Sequence, residues 1–207
     1  MTTNKQINKQ KGFTLIEIAI VMVIIGLLLG GVLKGQELIN NAKIKSLYAM
    51  KDQLSSAYLT YYDRYNAYPG DDINAVTNVG SGATPAANPG DGNGLVTAAA
   101  SGTAIGLDFG CTIADAGESC NAYRHLRLAN LISGEGAFNP KNPYGGAVSV
   151  THNTHHGLTT HWIQFQNITG EAGQIIDRKY DDGKFDTGSI RANVTYAGAL
   201  IDLYMVM

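Results

Sequence analysis

Little in this chain of 207 residues points to catalysis or to nucleic acid. It has 2 cysteines, 5 prolines and 1 tryptophan. No GxSxG, HExxH, P-loop or CxxC occurs in it, so the usual nucleophile, zinc and phosphate-cradle signatures are missing. Charged residues make up only 15% and the net charge is −2. That balance gives no electrostatic reason to expect a nucleic-acid partner. The length suits one ordinary globular domain and little more. Cys111 and Cys120 lie nine positions apart in a turn-rich stretch. They can close a disulfide if the domain leaves the cytoplasm, or remain two reduced thiols.

What is present is unevenly distributed. Residues 13–33 read FTLIEIAIVMVIIGLLLGGVL, almost wholly apolar. At helical rise this run spans about 30 Å, the thickness of a hydrocarbon core. The preceding residues 1–12 are polar and carry Lys5, Lys9 and Lys11 with no acid. Their positive charge should hold them in the cytoplasm and send the rest outward. A secretory signal has a shorter apolar stretch followed by a small-residue cleavage site. Here Gly12 stands before the run instead. Cutting after it would remove the basic leader, leave the helix on the protein and take the net charge to −5.

Glu17 is the informative residue of the run. A carboxylate at mid-bilayer costs about 2.5–3.5 kcal/mol on insertion scales, so one inside a membrane segment usually has a partner. Cleavage after Gly12 would create an α-amine on Phe13, one helical turn away. Glu17 of one subunit could then neutralise the Phe13 amine of a neighbour. The alternative is an ordinary single-pass anchor with an incidental acid.

The segment KGFTLIEIAIVMVIIG, residues 11–26, resembles the N-terminal motif of type IV prepilins and type II secretion pseudopilins. The resemblance implies cleavage by a prepilin peptidase between Gly12 and Phe13, N-methylation of Phe13, and an assembly role for Glu17. It also implies an inner-membrane assembly platform and identical or homologous pilin subunits as partners. The protein would sit in the bacterial inner membrane, its C-terminal domain periplasmic, and then enter an extracellular filament. No cofactor is required by such a role. Lys34 stands where major pilins of this family commonly carry proline, and it is flanked by Gly30, Gly31 and Gly35. The bridge, if formed, lies mid-chain, whereas in major pilins it usually encloses a C-terminal loop. Both features leave a minor pilin or pseudopilin open beside a pilus subunit. A membrane-anchored periplasmic enzyme is the distant alternative.

Beyond residue 35 the pattern turns amphipathic. Leu47, Met50, Leu54, Tyr58, Tyr61, Tyr65 and Tyr68 form one helical stripe, and Pro69-Gly70 should end the helix near residue 66. The tyrosines are expected to cover the inner face of a sheet with their hydroxyls at the rim. Residues 69–122 are rich in turn signals and read as a long surface connection. Periodicity predicts helices at 122–132 and 170–179, strands at 147–152 and 160–168, and closing strands from 191 onward. The fold class is therefore α+β: a long N-terminal helix packed on a small antiparallel sheet in a loop-rich, pilin-like globular domain. The organisation is leader 1–12, hydrophobic helix 13–34, amphipathic continuation 35–68 and globular domain 69–207.

Two acidic groups are candidate calcium ligands, because hard oxygens gathered at a turn are what that ion needs. The first is Asp177, Asp181, Asp182 and Asp186 around a glycine. The weaker second is Asp71 and Asp72 with Asp91 and Asn93. His152, His155, His156 and His161 fall within ten residues and could take a transition metal, but they read more simply as a strand-and-turn surface.

Overall fold

The computed structural model describes residues 12–80, 87–97, 109–112 and 117–207. The chain divides into two compact units, the first ending at Ala42 and the second running from Lys43 to Met207. Helix α1 (Leu15–Tyr65) contributes to both. In the first unit its side chains are exposed throughout the apolar run, from Leu15 to Leu33. It is long and apolar enough to cross a membrane. Its only ionisable side chains there are Glu17, Lys34 and Glu37, the last two paired at 2.7 Å.

In the second unit the same helix is one-sided. Ile44, Leu47, Leu54, Ala57, Tyr58 and Tyr61 are buried, and Met50, Tyr65 and Tyr68 pack against them, as the helical stripe predicts. Two of the hydroxyls do not sit at the rim. Tyr61 donates to Asp72 at 2.8 Å inside the core, and the buried Tyr58 hydroxyl has no partner. The helix stops earlier than proline requires. Asn66 takes a left-handed φ of 53° and its N–H caps the Tyr62 carbonyl, a conformation that asparagine tolerates.

Further elements are α2 (Ala75–Val79), α3 (Glu118–Leu128), β1 (Val148–His155), β2 (Leu158–Thr169), α4 (Gly170–Tyr180), β3 (Ile190–Ala192) and β4 (Leu200–Val206). The sheet is antiparallel in the order β1-β2-β4-β3. Together with the long helix this is an α+β architecture consistent with the pilin fold. Register explains the core. Val148, Phe165, Leu203 and Ala192 form one row across all four strands, and Val150, Ile163, Met205 and Ile190 form the next. All eight belong to the same core as the α1 stripe. The hairpin between β1 and β2 turns on His156 and Gly157, both at positive φ, the geometry of a tight two-residue loop.

Two expectations need correction. The 122–132 helix is α3, shifted to begin at Glu118 and to end where Asn130 adopts a φ of 57°. The stretch 69–122 is not merely a surface connection. Asp71, Asp72, Val96, Thr97 and Glu118 through Ala122 are buried. The disulfide Cys111–Cys120 is formed, with the Cα atoms 5.5 Å apart, and ties the connection to α3.

Candidate functional site

Thr14 and Glu17 form a capping box at the start of α1. The Thr14 N–H and hydroxyl donate to Glu17 Oε2 at 2.7 and 2.8 Å, and the Glu17 N–H reaches Thr14 Oγ1 at 3.4 Å. These bonds satisfy N–H groups that a helix start otherwise leaves unpaired, and they place a carboxylate against the positive end of the helix dipole. The sequence signature T-x-x-E at 14–17 announces this cap, yet the membrane context alone drew attention to Glu17. The geometry places the carboxylate within one turn of Phe13, whose side chain is exposed.

The acidic groups are assembled differently from their sequence pattern. Asp177, Asp181 and Asp182 offer oxygens within 4.8 Å of one another; Asp186 is outside the group. Their oxygens already hold the turn after α4. Asp177 accepts from the Tyr196 hydroxyl at 2.6 Å and the Gly183 N–H at 3.1 Å, Asp181 from the Ile190 N–H, and Asp182 from the Lys184 N–H and the Thr187 hydroxyl. Burial raises the Asp177 carboxyl above its ordinary range, against those bonds. Bonds from Thr187 and Lys184 lower the exposed Asp182.

In the second group Asp71 and Asp91 join Glu118, which sequence reasoning missed, while Asp72 is outside it and Asn93 donates hydrogen bonds to both Asp71 and Asp91. Glu118 lies 27 residues from Asp91, and no local pattern connects them. Its Oε2 accepts from the Thr97 N–H and hydroxyl and its Oε1 from the Asp91 N–H. Asp71 accepts from the Asn93 and Gly94 N–H groups. Burial pushes Asp71 up to about 6 and also raises Glu118. These carboxylates organise the 87–97 segment by collecting its backbone donors.

The histidines do not converge. Among the described residues, no group of three potential metal ligands contains one. His152 and His161 face each other across β1 and β2 with ring centroids 4.9 Å apart, His155 stacks on Tyr204, and His156 sits in the hairpin turn. They are also less superficial than expected: burial lowers both His155 and His161 to about 4.

Residues 7–33 match the prokaryotic N-terminal methylation motif, the prepilin-type signature of type IV pilins and pseudopilins. No curated protein and no solved structure matches the chain. The signature, together with the membrane-capable helix and the disulfide, supports a type IV pilin-like or pseudopilin-like protein, and the motif points to a structural role rather than an enzymatic one. It implies processing by prepilin peptidase and assembly with other pilins, with membrane anchoring beforehand.

Proposed function

We propose that this chain is a structural subunit of a type IV pilus. Prepilin peptidase cuts between Gly12 and Phe13, and the new Phe13 amine is methylated. Residues 13–34 hold the protein in the inner membrane with its globular part in the periplasm. The assembly platform then moves it into an extracellular filament of identical or homologous subunits. The observation that carries this reading is the prepilin signature at 7–33 opening a helix whose side chains from Leu15 to Leu33 are all exposed. A face so apolar is covered either by lipid or by like helices, and exchanging one for the other needs little change in hydrophobic burial. Polar pairing then supplies direction. Glu17, held ready by Thr14, neutralises the Phe13 amine of the neighbouring subunit.

A minor pilin or type II secretion pseudopilin is the second reading. It is favoured by Lys34, which lies inside α1 and pairs with Glu37 where major pilins carry proline.

The variant Glu17→Gln tests the pairing separately from the cap. Glutamine closes the same capping box but carries no charge. The variant is expected to insert in the membrane and be processed normally, yet yield few or no filaments. Normal filaments from it would sink the charge pairing.

A further inference from the structure

A cavity of about 370 Å³ opens between the end of α1 and the 92–94 turn, wholly within the second unit. Its volume lies within the usual range for small-ligand sites, about 300–1,000 Å³. Tyr62, Tyr65 and Tyr68 contribute walls, Ile73 adds an apolar edge, and Asp71 and Asp72 line it as well. The Tyr62 and Tyr68 rings are 4.9 Å apart and inclined at 37°.

The charged residues that line this cavity, Asp71 and Asp72, are both acidic. Asp91 and Glu118 stand beside Asp71, and the ion pairs among the described residues, Lys34–Glu37 and Lys51–Asp52, involve none of the four carboxylates. Their bonds come from neutral donors. Asn93 and Gly94 N–H groups serve Asp71, while the Asn74 N–H, the Tyr61 hydroxyl and the Asn78 amide serve Asp72. Such bonds hold the side chains without cancelling their charge. A recess with low-dielectric walls and uncompensated charge concentrates potential at its mouth, and aromatic faces attract cations over other ligands. An anion would be repelled. A bare dication wants six to eight oxygens at close range, but here both oxygens of Asp71 and both of Asp72 already accept protein donors, and the remaining wall is shared between tyrosines and small or polar residues.

We propose that this cavity binds a primary ammonium or guanidinium group, of the kind borne by lysine and arginine side chains, between tyrosine walls and above the Asp71–Asp72 carboxylates. The proposal stands whether or not the protein forms filaments.

The test titrates the full chain in detergent micelles with Nα-acetyl-lysine amide, Nα-acetyl-arginine amide, methylammonium chloride, calcium chloride and the neutral Nα-acetyl-norleucine amide, followed by amide chemical shifts at residues 62–94. Saturable millimolar binding of the cationic probes, and none of the norleucine compound, is expected. Tyr62 is exposed, so it can be changed without disturbing the core. Tyr62→Leu should weaken binding about five-fold, while Tyr62→Phe, which keeps the aromatic face, should stay close to wild type. Tighter binding of capped lysine than of methylammonium would support a protein side chain as the source, and equal binding a free amine; either supports the cation site. Equal affinity for norleucine, an unchanged affinity in Tyr62→Leu, no response to any cationic probe, or a response to calcium alone would overturn it.

Discussion

Lowering the pH should unfasten the globular unit at His125. This imidazole is fully buried in α3 and joins two other segments. It accepts the Gly70 N–H on Nδ1 at 2.9 Å, which fixes the proton on Nε2, and that N–H donates to the Asn88 carbonyl at 2.7 Å. A second proton would set Nδ1–H against the Gly70 N–H in a site closed to bulk solvent. Burial accordingly depresses the group from 6.5 to about 4. Because the folded value lies below the unfolded one, the unfolded chain binds more protons between them. Stability from this residue is complete above pH 6.5 and is lost as pH falls toward 4. A gap of about 2.5 pH units at about 1.4 kcal/mol each corresponds to about 3.5 kcal/mol in full, of which about 3 kcal/mol is lost by pH 4. His155 and His161 act in the same direction, while the raised carboxyls of Asp71, Glu118 and Asp177 act in the opposite one. The contribution is therefore isolated by difference. Urea unfolding of the Lys43–Met207 unit at pH 7 and pH 4 should show wild type losing about 3 kcal/mol more than His125→Gln, whose amide keeps an acceptor and a donor but does not titrate. Equal losses in the two proteins would refute the reasoning.

Two further perturbations bear on the fold. Gly146 precedes β1, and a Cβ there would overlap the Gln166 carbonyl oxygen and crowd the Asn142 side chain; Gly146→Ala should cost about 1–3 kcal/mol, read as a lower urea midpoint with an unchanged m-value. The Cys111–Cys120 bridge closes a short loop, so reducing it should cost about 2–3 kcal/mol on chain-entropy grounds, and an unchanged melting temperature would contradict that.

The elements that local chemistry dictates were legible in the sequence. The tyrosine stripe found its core because helical spacing alone decides which face is buried, and the alternating stretches at 147–152 and 160–168 fall largely within β1 and β2. The sheet's other face was less legible. Alternation predicts polar residues in water, yet Ser149, Gln164, Tyr204 and Arg191, one row across four strands, are buried. Arg191 lies over Trp162 and donates to the His155 and His156 carbonyls, contacts between distant segments that no window of sequence contains. Glu118 was overlooked for the same reason: its partners are Asp91 and Thr97, set by the packing of α3. At the N-terminus the position was reversed. Thr14 and Glu17 are adjacent in pattern, and their cap was readable from four residues, but a carboxylate in an apolar run suggested a membrane cost before it suggested a helix start.

The central claim is that the chain is processed at Gly12–Phe13 and leaves the membrane as part of a filament. Intact-mass and N-terminal analysis of protein sheared from the cell surface tests it most directly. The account predicts an abundant species that begins at Phe13 and carries one added methyl group. A sheared fraction that lacks the chain, with an unprocessed form retained in the membrane and still beginning at or before Gly12, would contradict it.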